Sequence, residues 1–334
     1  MITHVNKMGL LFKDTINNNT PYKYSNQTIY TPNPCGEQLL PPYGSCNLGS
    51  INVAASIFVT SSNRFNYAKF ANVVGDCIQF LDDVGMYNTF PNEKFAQWYN
   101  DNRPVGLGIM GFADLLLRLG IRYGSTESIE FAESLMEIMY MTAIEKSEEL
   151  GAERGIPKMC NSLPVARRNI TVLSIAPTGS ISFIADCSFG IEPIFSASYT
   201  RVDERGEKYL VEHSSAHEKF FVTTNDLSWK EHLDVQIAFQ KYNDTGISKT
   251  INMPNDASVD DVFDAFVYAW KNGCKGVTIY RDNSRKTQVL TGNIKENKIP
   301  ENELLCPNCD EEALINVEGC ITCSECGYSV CSIK

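Results

Sequence analysis

The clearest periodic signal in the chain runs from 127 to 150 (ESIEFAESLMEIMYMTAIEKSEEL). Apolar positions recur there at helical spacing, acids crowd the first turn, and Gly151 stands just beyond the end. This predicts a long amphipathic helix. The pattern from Arg64 to Asn100 is mainly helical with a break near Pro91, and residues 109–119 (IMGFADLLLRL) predict a short apolar helix closed by Gly120. A different signal comes from Asn169 to Ile175 (NITVLSI), a β-branched apolar run entering Ala176-Pro177-Thr178-Gly179. It predicts a buried strand leading into a tight turn. Ser258 and Asp261 form a capping box before the helix VDDVFDAFVYAW, which Asn272-Gly273 ends, and Lys275 to Arg281 (KGVTIYR) predicts another buried strand. Helices alternating with short buried strands predict an α/β fold.

The aperiodic stretches divide the chain. Residues 1–30 read as mostly loop, and 31–52 (TPNPCGEQLLPPYGSCNLGSIN) as a loop shaped by Pro and Gly. Residues 282–303 are polar and aperiodic, which predicts a linker, and there is no internal repeat. The expected organisation is a main body over 1–285, a linker over 286–303 and a cysteine-rich tail over 304–334. With 334 residues and 43% hydrophobic composition, the chain can bury a sizeable core.

Forty acidic against 29 basic residues give a net charge of −11, which argues against broad contact with a nucleic-acid backbone. A local loop can still hold a small phosphorylated ligand. No apolar run approaches membrane-spanning length, and the first residues (MITHVNKMGLLFKDT) do not resemble a secretion signal. Twelve cysteines without such a signal point to a reducing, cytoplasmic setting, where they are thiols, metal ligands or redox groups. Six are dispersed (Cys35, Cys46, Cys77, Cys160, Cys187, Cys274) and six crowd into the tail.

Three constellations carry chemistry. Asn33-Pro34-Cys35-Gly36-Glu37 places an amide, a thiol and a carboxylate within five residues, and a spacing of two points all three to one side if the backbone is extended. A thiol can donate a hydrogen atom, a carboxylate can take a proton, and an amide can orient a hydroxyl. Cys46 lies eleven residues on, in GSCNLG. The segment Pro177-Thr178-Gly179-Ser180-Ile181-Ser182 follows a strand and offers three hydroxyls and backbone N–H groups to a phosphate; no Walker lysine follows. The tail spacing Cys306-x2-Cys309-x10-Cys320-x2-Cys323-x2-Cys326-x4-Cys331 is a tetrathiolate zinc signal with two thiols to spare. Assigning Cys306, Cys309, Cys320 and Cys323 to zinc leaves Cys326 and Cys331 as a dithiol. Assigning Cys306, Cys309, Cys323 and Cys326 strands Cys320 and Cys331, so the first division is preferred.

NPCGEQ, SCNLGSIN, RPVGLGIMGFADLL, SIAPTGSIS…GIEP and GCKGVTIYRDNSR occur here in the order seen in ribonucleotide reductase catalytic subunits. The chain most resembles the class II, adenosylcobalamin-dependent enzymes. CGYSVC is similar to their tails, and Tyr280 is followed by Arg281 where the class I radical relay has adjacent tyrosines. The resemblance implies the second half of a ten-stranded α/β barrel with a central finger loop at 31–52, plus a small zinc-ribbon-like tail. It implies that Cys35 forms the thiyl radical that abstracts the ribose 3′-hydrogen, that Glu37 takes the 3′-hydroxyl proton and that Asn33 orients the same region. It further implies that Cys46 is one of two cysteines supplying reducing equivalents, that 177–182 bind the substrate phosphates, and that Cys326 and Cys331 re-reduce the site. The implied substrate is a ribonucleoside di- or triphosphate and the implied reductant is of the thioredoxin or glutaredoxin type.

Only about 30 residues precede NPCGE, whereas the family has a long stretch there, which predicts a divided enzyme needing a separate N-terminal half and inactive as an isolated chain. The competing expectation is a zinc-ribbon binding module on an inactive remnant. A zinc hydrolase is disfavoured, because His4, His213, His217 and His232 form no HExxH motif. His213 and His217 are expected on a solvated loop. Cys77, Cys160, Cys187 and Cys274 are expected as small buried side chains.

Overall fold

The computed structural model describes residues 8–202, 208–213, 215–216, 218–282 and 290–292, and in the tail Cys309, 314–317, 320–323, Cys326 and 329–331. It contains two units: residues 1–197 with 212–288, and residues 198–211 with 289–334.

In the first unit β4 (Asn47–Asn52) runs parallel to β5 (Val105–Met110), in register from Asn47↔Val105 to Asn52↔Met110. The run 171–175 extends the arc on the other side of β5. Val105 N and Leu107 N donate to the Thr171 and Val172 carbonyls at 3.1 and 2.9 Å, and Ser174 N returns a bond to Leu107 O at 3.0 Å. Ile175 then bridges in parallel to Ile247. Downstream of that bridge β8 (Thr250–Met253) lies parallel to β9 (Gly276–Arg281). β1 (Met8–Leu11) closes this edge antiparallel to β9. Residues 169–175 are all buried, as a strand covered on both faces must be.

Strand β5 was not expected, and 109–110, assigned above to a helix, belong to it. Its two glycines lower strand propensity, yet the packing demands them. A Cβ at Gly108 would stand 2.3 Å from Ser174 O, and one at Gly106 would stand 2.6 Å from a Leu48 methyl. The helix α4 begins only at Phe112 and ends at Leu119, with Gly111 and Gly120 in left-handed conformations at its two ends. β1 and a short helix α1 (Lys13–Asn18) likewise correct the loop expectation for 1–30. The four-residue β1 has its partner more than 260 residues away, so no local pattern announces it.

The predicted helices are present as α2 (Tyr67–Tyr87), α3 (Glu93–Asn102), α5 (Thr126–Arg154) and α8 (Val259–Lys271), and α7 (Trp229–Gln240) is a further helix that was not expected. α5 runs through Gly151 instead of stopping before it. A Cβ there would meet the Arg168 nitrogen at 3.1 Å, so this glycine permits close packing and does not cap the helix. α2 and α7 both pack on α5, whose Leu135, Met136, Met139 and Leu150 are fully buried with Val105, Leu107 and Ile109 of β5. Each such side chain contributes about 1.5–3 kcal/mol through burial. α8 opens on the expected box, with Asp261 N donating to Ser258 Oγ at 3.1 Å and Ser258 N to Asp261 Oδ2 at 2.8 Å.

One buried charge cluster holds the helices to the strands. The Asp82 carboxylate, fully buried on α2, pairs with Arg103 at 2.8 Å, Arg154 at 3.0 Å and Arg168 at 3.3 Å. Burial alone would raise its pKa, but these guanidinium groups overcome that and hold it below the ordinary carboxylate value.

In the second unit β6 (Ser198–Val202) lies between β7 (Lys208–Glu212) and β10 (Leu290–Gly292). The stretch expected as a pure linker thus contributes a strand, paired antiparallel with β6. In the tail β11 (Leu314–Val317), β12 (Cys320–Cys323) and β13 (Ser329–Cys331) form an antiparallel sheet. In the β12–β13 pair Cys320 is in register with Cys331. Cys306, and residues 318–319, 324–325 and 327–328 between these strands, lie outside the described residues.

Candidate active site

The NPCGE motif forms the tip of a hairpin whose arms are β2 (Thr31–Pro32) and β3 (Leu39–Leu40). Its base is anchored by Ile29 and Leu39, buried in a cluster with Ile16, Tyr22 and Ile170. Asn33 builds the tip. Its Oδ1 accepts from the backbone N–H groups of both Gly36 and Gln38 at 3.0 Å, while Gly36 N also donates to Asn33 O at 3.1 Å. Gly36 has φ +82°, a conformation open to glycine at no steric cost, and it folds the chain back there. The turn breaks the alternation expected for an extended strand. Cys35 is exposed at the apex, Asn33 is half-buried, and Glu37 is turned inward and only 3% exposed.

Glu37 Oε2 is buried and has no hydrogen-bond partner in the protein. A carboxylate oxygen left this way costs on the order of a few kcal/mol, so the pocket suits a group that donates to it. The Glu37 backbone is tightly held, because its carbonyl accepts from Gly246 N at 2.9 Å and from Ser174 Oγ at 3.3 Å. The adjacent Gln38 amide donates to the same Ser174 hydroxyl at 2.7 Å. Asn33 and Gln38 also line a cleft of about 410 Å³ beside the hairpin, walled by Tyr30, Tyr43, Phe95 and three prolines.

Cys46 precedes β4 directly and is half-buried, its Sγ 3.5 Å from Asn47 O. Burial pushes its thiol well above the ordinary cysteine pKa, and the negative charges of Asp244 and Glu37 push in the same direction. Glu37 therefore lies within electrostatic reach of Cys46.

Residues 177–182 lead from the buried run 171–175 into α6 (Gly179–Ile184). Thr178 takes φ +58°, and its hydroxyl bonds Ser182 Oγ at 2.6 Å and Gly190 N at 2.7 Å. Both hydroxyls are buried inside the turn they shape. Pro177, Gly179, Ser180 and Ile181 are the exposed members of the segment.

A family model described as the ribonucleotide reductase barrel domain matches residues 1–162 and 165–280. The chain belongs to the ribonucleotide reductase family. It is 38% identical over 330 residues to a vitamin B12-dependent ribonucleoside-diphosphate reductase of Thermoplasma acidophilum, with 88% of this chain and 43% of that protein covered. It is 35% identical over 323 residues to the protein of the same name in Mycobacterium tuberculosis, covering 85% of this chain and 46% of the relative. The chain thus spans about half the length of the curated relatives it matches. Among solved structures, the class Id ribonucleotide reductase alpha subunit of Actinobacillus ureae shares the fold, with a TM-score of 0.68 at 22% identity over 83% of this chain and 58% of that one. The α/β barrel of the reductases is therefore the frame in which the hairpin sits.

Several polar contacts around the hairpin tip and elsewhere in this unit were missed from sequence. Ser174 and Gly246 hold the tip, and Asp244 acts on Cys46, though none stands near Cys35 in the chain. Lys249 is fully buried and donates to Glu192 at 2.8 Å and to His232 Nδ1 at 3.1 Å. Burial and the Lys249 charge hold the imidazole well below its ordinary pKa, so it stays neutral. His213, expected on a solvated loop, is half-buried with Nε2 2.9 Å from Asp114. Cys160 and Cys274 are buried as expected, whereas Cys77 and Cys187 are only half-buried. His4 and His217 lie outside the described residues. Among the described residues no cluster of three or more metal-ligating side chains is present, and no helix is long and apolar enough to cross a membrane.

Proposed function

We propose that this chain supplies the radical-bearing hairpin and the C-terminal half of a ten-stranded barrel in a class II ribonucleotide reductase, which converts ribonucleotides to 2′-deoxyribonucleotides. The observation that carries the reading is the tip itself: an exposed Cys35 thiol one turn away from a buried Glu37 carboxylate whose Oε2 lacks a partner. Bearing such a radical at its sulfur, Cys35 takes the 3′-hydrogen atom of the ribose, re-forming its S–H bond and leaving a carbon radical. Glu37 accepts the 3′-hydroxyl proton on its open oxygen. The 2′-hydroxyl leaves as water, taking a proton from a thiol. Cys46 and a second cysteine, supplied by the N-terminal half, give up two electrons and two protons in all and close a disulfide. Cys35 then returns its hydrogen atom to the 3′-carbon, regaining the unpaired electron, and Glu37 returns its proton to the 3′-oxygen. Cys326 and Cys331 reduce that disulfide by thiol exchange, and a thioredoxin- or glutaredoxin-type protein reduces them in turn. The raised pKa of Cys46 suits a hydrogen donor better than a thiolate.

Adenosylcobalamin fits the tip in one tested respect: Cys35 is exposed, and a Cβ built on Gly36 would meet nothing within 4 Å, so the apex is open to a bulky group. When bound, it supplies the unpaired electron that the Cys35 thiol requires. The protein's own part is to position that thiol and keep water from it. The segment 177–182, with its exposed Ser180 and its backbone N–H groups, is assigned to the substrate phosphates. Zinc is proposed for four of the six tail thiols, with Cys306, Cys309, Cys320 and Cys323 as the set. Working in the cytoplasm is consistent with twelve cysteines kept reduced.

The test is complementation. Mixed with an N-terminal reductase half, adenosylcobalamin and a dithiol, the chain is expected to form deoxyribonucleotides, and the Cys35→Ser variant none. Turnover that survives Cys35→Ser refutes the role of Cys35, and full turnover by the single chain refutes the need for a second half.

A further inference from the structure

Behind the hairpin lies a four-residue turn, Asn243–Gly246, that is bonded more densely than a simple connection requires. Gln240 Nε2 donates to the Asn243 and Thr245 carbonyls at 3.2 and 3.1 Å. Asn243 Nδ2 donates to the Thr245 and Gly246 carbonyls at 3.1 and 2.8 Å. The Asp244 carboxylate reaches across to the run 171–175 and accepts from Val172 N at 2.7 Å and Leu173 N at 3.2 Å, while Thr245 Oγ1 donates to Leu173 O at 3.1 Å. Lys275, only 3% exposed, donates from below to the Asn243 and Asp244 carbonyls at 3.1 and 2.6 Å. A buried ammonium is costly and persists only where its donors are used. Here it grips two successive carbonyl oxygens.

The output of this clamp is one contact. Gly246 N donates to the Glu37 carbonyl at 2.9 Å, and the two backbones approach so closely that a Cβ at 246 would stand 2.1 Å from Gly36 O and 3.2 Å from Glu37 Cα. No side chain fits between them. Gly246 has no positive φ, so backbone conformation does not require glycine there; the approach of the tip does.

We propose that the turn Asn243–Gly246, clamped by Lys275 and Asp244, is the seat that sets the height of the Cys35–Glu37 tip, with Gly246 and Lys275 as positioning residues. The seat fixes where the exposed thiol and the unpartnered carboxylate stand relative to whatever they act on. Its consequence for turnover rests on the reductase reading above; its existence does not.

Gly246→Ala and Lys275→Met test it from the two ends of the turn, with Gly75→Ala on α2, where a Cβ meets nothing within 4 Å, as the control. On the full chain, hydrogen exchange over residues 31–40 is expected to quicken about tenfold in both variants, the loss of roughly one hydrogen bond, with β4 and β5 unchanged. In the complemented enzyme kcat is expected to fall about 10²-fold with KM within about twofold, the effect of displacing reacting groups by ~1 Å. Lys275→Arg, which keeps a buried cation and its donors, is expected to recover part of that kcat. Hairpin exchange that stays at the wild-type rate in Gly246→Ala overturns the seat, as does a loss confined to KM. If the exchange changes as expected while the wild-type enzyme turns over no ribonucleotide, the seat stands and the reductase assignment falls.

Discussion

The Gln38 side-chain amide donates to the Ser174 hydroxyl at 2.7 Å, and that hydroxyl in turn donates to the backbone carbonyl of Glu37 at 3.3 Å. One small side chain, 136 positions from Gln38, therefore ties both residues that follow the cysteine tip to the buried run 171–175. The hairpin is fastened to the buried run 171–175 through its tip and not only through its base.

Ser174→Ala should expose how much that fastening matters. It leaves the buried Gln38 Nε2 without its acceptor and removes one of two donors to Glu37 O. The expected cost is about 1–3 kcal/mol, read from urea unfolding. A loss well below that range would mean that water replaces the hydroxyl and the tie is incidental.

The cysteines should differ sharply in reactivity. Burial pushes Cys160 and Cys274 up to about 12 and Cys46 well above its ordinary value, so at pH 8.5 almost none of these exists as thiolate. Cys35 is exposed. Peptide-resolved iodoacetamide labelling should modify Cys35 first and reach the other three only as pH rises towards their raised values or the chain unfolds. Equal labelling of Cys46 and Cys35 at pH 8.5 would contradict the site geometry.

Acid should weaken the protein through Asp82. Its folded pKa lies below the ordinary value of 3.8, so its ion pairs contribute fully above that value and are lost as pH falls through the folded one. Asp82→Asn removes the charge facing Arg103 and is expected to cost about 3–5 kcal/mol near neutral pH, as for one partner taken from a buried ion pair. The difference between wild type and variant should narrow when unfolding is repeated below pH 4. A constant difference down to acid pH would show that the charge is not what matters.

The tail should bind about one zinc per chain, released by chelation together with newly titratable thiols. Cys320→Ser is expected to abolish binding and Cys326→Ser to spare it. The reverse result would transfer the ligand role to Cys326 and leave Cys320 with Cys331, its neighbour across the β12–β13 pair.

Much of the frame was legible in the chain because its signals are local. The capping box of α8, the long helix α5, the buried run 169–175 and the strand after Lys275 each follow from side-chain period or from a hydrogen bond spanning three residues. The family was legible in its motifs taken together, and it was that resemblance, not the five residues 33–37 alone, that singled out Cys35 and Glu37. Tertiary structure alone decided the rest, because the deciding contacts join distant segments. The glycines of β5 weaken it as an isolated strand, but Gly108 is required by the Ser174 carbonyl that packs on it. Gly151 looks like a stop until the Arg167–Arg168 backbone is seen against it. The turn at Gly36 separates an exposed thiol from a buried carboxylate that a flat strand would have placed on one face, and Gly246, far along the chain, leaves room for that turn to close.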